Sequence, residues 1–199
     1  DDNLQGIPNL EFQKADVTDD NYELDLPDQL HGLVYCPGTI NLKPFHRLKD
    51  SDFQTDFDIN VMGAVKTLQQ AMPAMKKAGN ASAVLFSTVA VKLGMPFHAS
   101  VAVSKAGVEA LAKTFSAEYA GSGLRANVIA PSVTDTPLAE RLLNNDKKRE
   151  NSEQRHPIAR VGTPADMAAA AVYLLSDDAS WMSGQVLHID GGMSSLKQL

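Results

Sequence analysis

Ala81 to Val89 (ASAVLFSTV) is a largely apolar run set between two long helical patterns. A run of this kind reads as a strand with no solvent-facing side, and such strands belong to parallel sheets covered by helices on both faces. Before it, Asp50 to Lys77 reads as one long helix. Phe57, Val61, Ala64, Val65 and Leu68 fall near one face of that helix, at i, i+4, i+7, i+8 and i+11. After it, Ala99 to Tyr119 reads as a second, Ala-rich helix ended by Gly121-Ser122-Gly123. Four further segments read as strands: Leu10 to Val17, His31 to Tyr35, Leu124 to Ala130 and Gln185 to Ile189. Thr163-Pro164-Ala165-Asp166 opens another helix, with an N-cap hydroxyl, proline at the first position and an acid in the first turn. Strands alternating with helices define an α/β fold with a doubly wound parallel sheet. The polar stretch Arg141 to His156 follows the Leu124–Ala130 strand. It reads either as a solvated surface helix or as a lid over the sheet end where such folds bind ligands.

Composition narrows the function. The length, 199 residues, suits one domain, and the formal charge of −6 without a Lys/Arg block argues against nucleic acid as a partner. No apolar run reaches the roughly 18–20 residues of a membrane span, so no membrane is expected. The single cysteine, Cys36, excludes an intramolecular disulfide and an all-cysteine zinc site, and it fits a reducing cytoplasm. His31, His46, His156 and His188 have no metal-ligand spacing, so no metal is expected. A soluble cytoplasmic enzyme, or the relic of one, remains.

Several short signatures then follow in order. Asp16-Val17 precedes Thr18; Tyr35-Cys36-Pro37-Gly38 ends the second strand candidate; Asn60 sits in DINVMG. Ser87-Thr88 ends the central apolar run, and Ser104-Lys105-Ala106-Gly107 lies in the second helix. Pro131-Ser132-Val133-Thr134-Asp135-Thr136 follows the next strand, and Val186 to Gly192 closes the chain. In this order and spacing the chain resembles the short-chain dehydrogenases/reductases. The resemblance implies a Rossmann-like domain over residues 1–199 and a bound NAD or NADP. It also implies a small-molecule substrate and a homodimer or homotetramer paired through the two long helices. It implies that Asp16 and Val17 contact the adenine, that Cys36, Pro37 and Gly38 lie beneath the nicotinamide ribose, and that Lys105 binds the ribose hydroxyls. Pro131, Val133 and Thr136 would hold the nicotinamide carboxamide, Asn60 a catalytic water, and Thr88 the substrate carbonyl. Cys36, in place of the usual Asn, is expected to be a small buried hydrophobe.

Two departures from the family pattern stand out. No Gly-x-x-x-Gly-x-Gly occurs in the 199 residues. The chain therefore reads as entering just before the family's third strand, with the N-terminal βαβ portion missing and a central sheet edge left open. The second departure is Val101, four residues before Lys105, where the family places its proton-donating tyrosine. Valine carries no proton to donate. His98, at the start of the same helix, is the leading substitute, because a neutral imidazole can hydrogen-bond a carbonyl or pass a proton. Ser100, or a water held by Asn60 and Lys105, are the others. The reading is an NAD(P)-dependent oxidoreductase with a non-standard proton donor, acting on a small carbonyl, an alcohol, an acyl thioester or a conjugated C=C bond. The alternative is a catalytically silent dinucleotide-binding sensor or assembly subunit.

Overall fold

The structure is a computed structural model that describes residues 7–197. Four parallel strands form one sheet in sequence order: β1 (Gly32–Tyr35), β2 (Ala81–Phe86), β3 (Leu124–Pro131) and β4 (Val186–Ile189). Val34 lies opposite Val84, Val84 opposite Asn127, and Val128 opposite Val186. β2 and β3 are buried along almost their whole length. One face of the sheet packs against α2 (Gly63–Ala78) and α4 (Ala99–Tyr119), where Leu68, Met75, Val108 and Phe115 meet Ala83, Leu85 and Val128. The other face packs against α7 (Pro164–Leu175), where Met167, Ala171 and Leu174 meet Val84 and Ile129. The doubly wound parallel arrangement is therefore present, with β1 paired to β2 alone among the described residues.

Two polar residues on β3 tie the second layer in place. The buried Arg125 guanidinium donates to the carbonyls of Leu174, Ser176 and Met182, at 3.2, 3.3 and 3.1 Å. The Leu174 and Ser176 carbonyls lie at the carboxyl end of α7, the negative end of its dipole, so the cation there is compensated. Asn127 donates to the Met182 carbonyl at 2.9 Å and accepts from the Gln185 amide at 3.0 Å, which sets the path into β4.

Several expectations are corrected. Leu10 to Val17 is not a strand: it runs as irregular chain into a turn. A strand exists by its ladder to a neighbour, and among the described residues none lies beyond β1. Instead the Gln13 side chain pairs with the backbone of Asp25. The apolar run leaves the sheet at Phe86, and Val89–Leu93 forms a short helix, α3, whose first turn is capped by the Thr88 hydroxyl. The helix expected over Asp50 to Lys77 is three pieces: α1 (Asp50–Phe57), a π-helical segment (Asp58–Met62) and α2. Arg141 to His156 is not one solvated helix. It forms α5 (Glu140–Leu143) and α6 (Asp146–Glu153), with Leu143, Ser152 and His156 turned inward and buried. Cys36 is exposed rather than buried, in the turn that follows β1.

The start of α7 follows its sequence signature. The Thr163 hydroxyl accepts from the Asp166 amide, and the Asp166 carboxylate accepts from the Thr163 amide at 2.8 Å. Thr163→Ala is expected to cost about 1 kcal/mol. Thermal unfolding followed by circular dichroism should show a midpoint lowered by about 2–4 °C for a chain of this size.

Candidate active site

A cavity of about 590 Å³ lies at the carboxyl ends of the strands, the place where parallel α/β sheets bind ligands. The turns after β1, β2 and β3 supply Cys36, Gly38, Thr88, Ser132 and Val133 to its lining. Helix α4 adds Val101 and Lys105, and the 137–156 segment adds Leu138, Leu142, Ser152 and His156. What read as a surface stretch is therefore a cavity wall.

Asn60 lies outside the lining, fully buried beneath it. Its amide donates to the Asp56 carbonyl at 2.7 Å, the backbone acceptor one turn earlier, and to the Thr39 hydroxyl at 3.0 Å. Around this contact the helix widens into the π segment, with the Gly63 amide reaching back five residues to the Asp58 carbonyl. Such π-bulges recur at functional sites. With its amide committed, Asn60 leaves Oδ1 buried and without a partner among the described residues. Lys105 lies close by, only 7% exposed, and donates to the Phe86 carbonyl at 2.8 Å. Burial pushes its pKa down to about 8, against the opposing effects of Cys36 and the buried Asp56. A Cβ on Gly38 would stand 3.2 Å from Lys105 Nζ and 3.3 Å from Asn60 Oδ1. Glycine thus lets the turn after β1 pass close to an ammonium with spare N–H groups at the cavity edge and to the buried carbonyl oxygen behind it.

Val101 lines the cavity one turn from Lys105 and is 5% exposed. Tyr22, Tyr35, Tyr119 and Tyr173 all lie outside the lining. Tyr35 donates to the Ile59 carbonyl at 2.6 Å, and burial raises its pKa further above the ordinary phenol value. Its hydroxyl sits so close to Gly63 that a Cβ there would approach to 2.1 Å, so its role is to brace the π segment. Thr88 lines the cavity; its oxygen accepts from Ala90, which leaves its proton free to be donated. Ser87, also in the lining, is committed to Glu109 at 2.6 Å.

His98 lines the cavity and precedes α4, after Phe97 in the left-handed region at φ 69°. Its Nδ1 is 2.6 Å from the Pro96 carbonyl, which can only accept, so Nδ1 carries the proton and Nε2 is left as an acceptor. Ser100 is buried with an unpartnered hydroxyl, but it faces the shallow groove between α1 and α4 and not this cavity.

Pro131, Val133 and Thr136 all lie in the lining. Ser132, where the resembled pattern has Gly, does not take a positive φ, so its side chain brings no backbone strain. Asp16, Val17 and Pro37 are not in the lining. Asp16 closes a turn by accepting from the Thr18 amide and hydroxyl, which hold its carboxyl below the usual range. Val17 packs against the core beside Gly63.

Sequence reasoning missed one pair. His156 Nε2 is 2.7 Å from Ser132 Oγ inside the cavity wall. The two are 24 positions apart, and no local pattern joins them.

The lowered pKa of Lys105 gives a direct expectation. Its neutral, nucleophilic amine should rise through about pH 8, whereas exposed lysines titrate near about 10.4. Acetic anhydride labelling read by peptide mass spectrometry should therefore single out Lys105 at pH 8. A Lys105 midpoint matching the exposed lysines would contradict the site as described.

The family described as enoyl-(acyl carrier protein) reductase matches residues 16–194. The 3-oxoacyl-(acyl-carrier-protein) reductase FabG of Thermotoga maritima is 37% identical over 147 residues, covering 74% of this chain and 59% of that protein. A short-chain type dehydrogenase/reductase from Mycobacterium ulcerans superimposes with a TM-score of 0.78 at 30% identity, over 83% of this chain and 61% of that one. A gluconate 5-dehydrogenase from Burkholderia cenocepacia, solved in complex with NADP and tartrate, gives a TM-score of 0.80 at 26% identity, over 85% and 66%. The chain matches about three fifths of the length of its first curated relative. It belongs to the short-chain dehydrogenases/reductases.

Proposed function

We propose that this member of the family is an NAD(P)-dependent oxidoreductase that acts on a small carbonyl, alcohol or acyl-thioester substrate without a helix tyrosine. The observation that carries the reading is Lys105 in the cavity lining beside Gly38, with the buried Oδ1 of Asn60 close behind. An ammonium donor beside a carbonyl acceptor matches a ribose hydroxyl or the water beside it. The group that fits is a nicotinamide dinucleotide, which supplies hydride transfer when bound.

In this reading Lys105 binds the ribose hydroxyls, and Asn60 holds a water against it. Cys36, Pro37 and Gly38 form the floor under the ribose, and Pro131, Val133 and Thr136 hold the carboxamide. Asp16 and Val17 serve the adenine end, outside the cavity lining. Thr88 donates to the substrate oxygen, a charge-stabilising role that strengthens as negative charge develops there. Leu138, Leu142, Met167 and Met193 give the substrate an apolar bed. His98, with Nε2 free, passes protons between the cavity and solvent. Phe57 and Val103, 42% and 62% exposed on α1 and α4, offer the face for a homodimer or homotetramer. The cytoplasm is the compartment, consistent with a single free thiol.

Val101 favours one second reading, a silent dinucleotide-binding protein. The two are separated by titrating NADH and NADPH fluorescence and then following turnover on ketones and enoyl thioesters. Binding with turnover is expected in the wild type, and Lys105→Met should weaken binding at least about tenfold, the loss of a charged hydrogen bond. Binding without turnover, restored by Val101→Tyr, would establish the silent reading. Failure to bind either dinucleotide would remove both.

A further inference from the structure

We propose that Ser132 and His156 form the proton-transfer pair of this cavity, with the Ser132 hydroxyl meeting the reacting oxygen of an alcohol substrate and His156 taking the proton. The inference rests on the oxidoreductase reading and names the group that stands in for the missing tyrosine.

The pair is oriented at both ends. His156 is 2% exposed. Its Nδ1 is 2.7 Å from the Ser152 carbonyl, at the last turn of α6. A carbonyl only accepts, so Nδ1 carries the proton and the neutral ring presents Nε2 as a base. Nε2 is 2.7 Å from Ser132 Oγ, so the serine hydroxyl is the donor in that bond. Hydroxyl, imidazole and an orienting acceptor at hydrogen-bond distance are the parts that activate a hydroxyl for proton transfer. Ser132 and His156 both line the cavity that holds Lys105 and Thr88.

With its own proton committed to Nε2, Ser132 Oγ has only lone pairs to offer the lumen. It therefore recognises a donor, such as an alcohol O–H. The substrate O–H bond breaks and its proton passes to Ser132 Oγ, while the Ser132 proton passes to His156 Nε2 and forms an imidazolium held by the Ser152 carbonyl. The substrate C–H bond breaks with its electron pair, which leaves as hydride to an oxidised nicotinamide dinucleotide. The alcohol becomes a carbonyl, and reduction is the reverse. His98 keeps its separate place as the group that exchanges with solvent.

The test begins without any dinucleotide. The wild-type chain is incubated with a small alkyl fluorophosphonate, and peptide masses are read. One adduct on Ser132 is expected, absent in Ser132→Gly and formed at least about tenfold more slowly in His156→Gln, because proton transfer to Nε2 is what makes the hydroxyl reactive. An unlabelled wild type, or equal labelling in His156→Gln, would overturn the pair. With NAD(P)+ and an alcohol substrate, both variants should lower kcat about 100-fold or more, the scale of lost general-base catalysis, with dinucleotide affinity unchanged. Ser132→Gly installs the residue the family pattern carries, so it removes the hydroxyl with least risk to folding. Normal turnover in Ser132→Gly with loss in His98→Gln would overturn the pair and leave the oxidoreductase reading standing. Labelled Ser132 in a protein that binds no dinucleotide would overturn that reading and keep the Ser132–His156 transfer.

Discussion

The burial of β2 and β3 on both faces governs this molecule. An apolar strand in the middle of a sheet leaves water only if helices cover both sides, and the ladder between two such strands is then parallel. Helices α2 and α4 supply one cover and α7 the other. With all four strands pointing the same way, the turns at their carboxyl ends converge, and the cavity is the space those turns and α4 enclose. Arg125, buried within this arrangement, is tolerated because the carbonyl end of α7 faces it.

Fold and site are joined at the π segment. Tyr35 at the end of β1 donates to Ile59, and Gly63 leaves room for its ring oxygen. Strand β1 thereby presses on the helix at the place where Asn60 takes over the Asp56 carbonyl. The result is a carboxamide oxygen turned toward Gly38 and Lys105. The same buried surroundings that hold Lys105 in position depress its pKa.

Much of this was legible in the sequence because it depends on local spacing. The Ala81 run, the long Ala99–Tyr119 helix, the Thr163 cap and the four-residue step from Val101 to Lys105 all follow from strand or helix periodicity. The errors arise where a partner distant in sequence decides. Leu10 to Val17 has strand composition but no neighbouring strand among the described residues. The Asp50–Lys77 pattern runs on across the π segment because one extra residue in a turn barely disturbs hydrophobic periodicity. Cys36 lies exposed because the chain turns out of the sheet after Tyr35. The Ser132–His156 bond joins a strand end to a segment that reads as solvated, so only the folded chain brings it together.

The central claim is that the absent side chain at position 38 makes the dinucleotide seat. Gly38→Ala tests it most directly, since the residue has no positive φ and the added methyl meets only Lys105 Nζ and Asn60 Oδ1 closely. Calorimetric titration of wild type and variant with NADH and NADPH, alongside their thermal midpoints, is the measurement. The account predicts an unchanged fold and binding weakened at least about tenfold, roughly 1.4 kcal/mol. Equal affinity in the two proteins would contradict it.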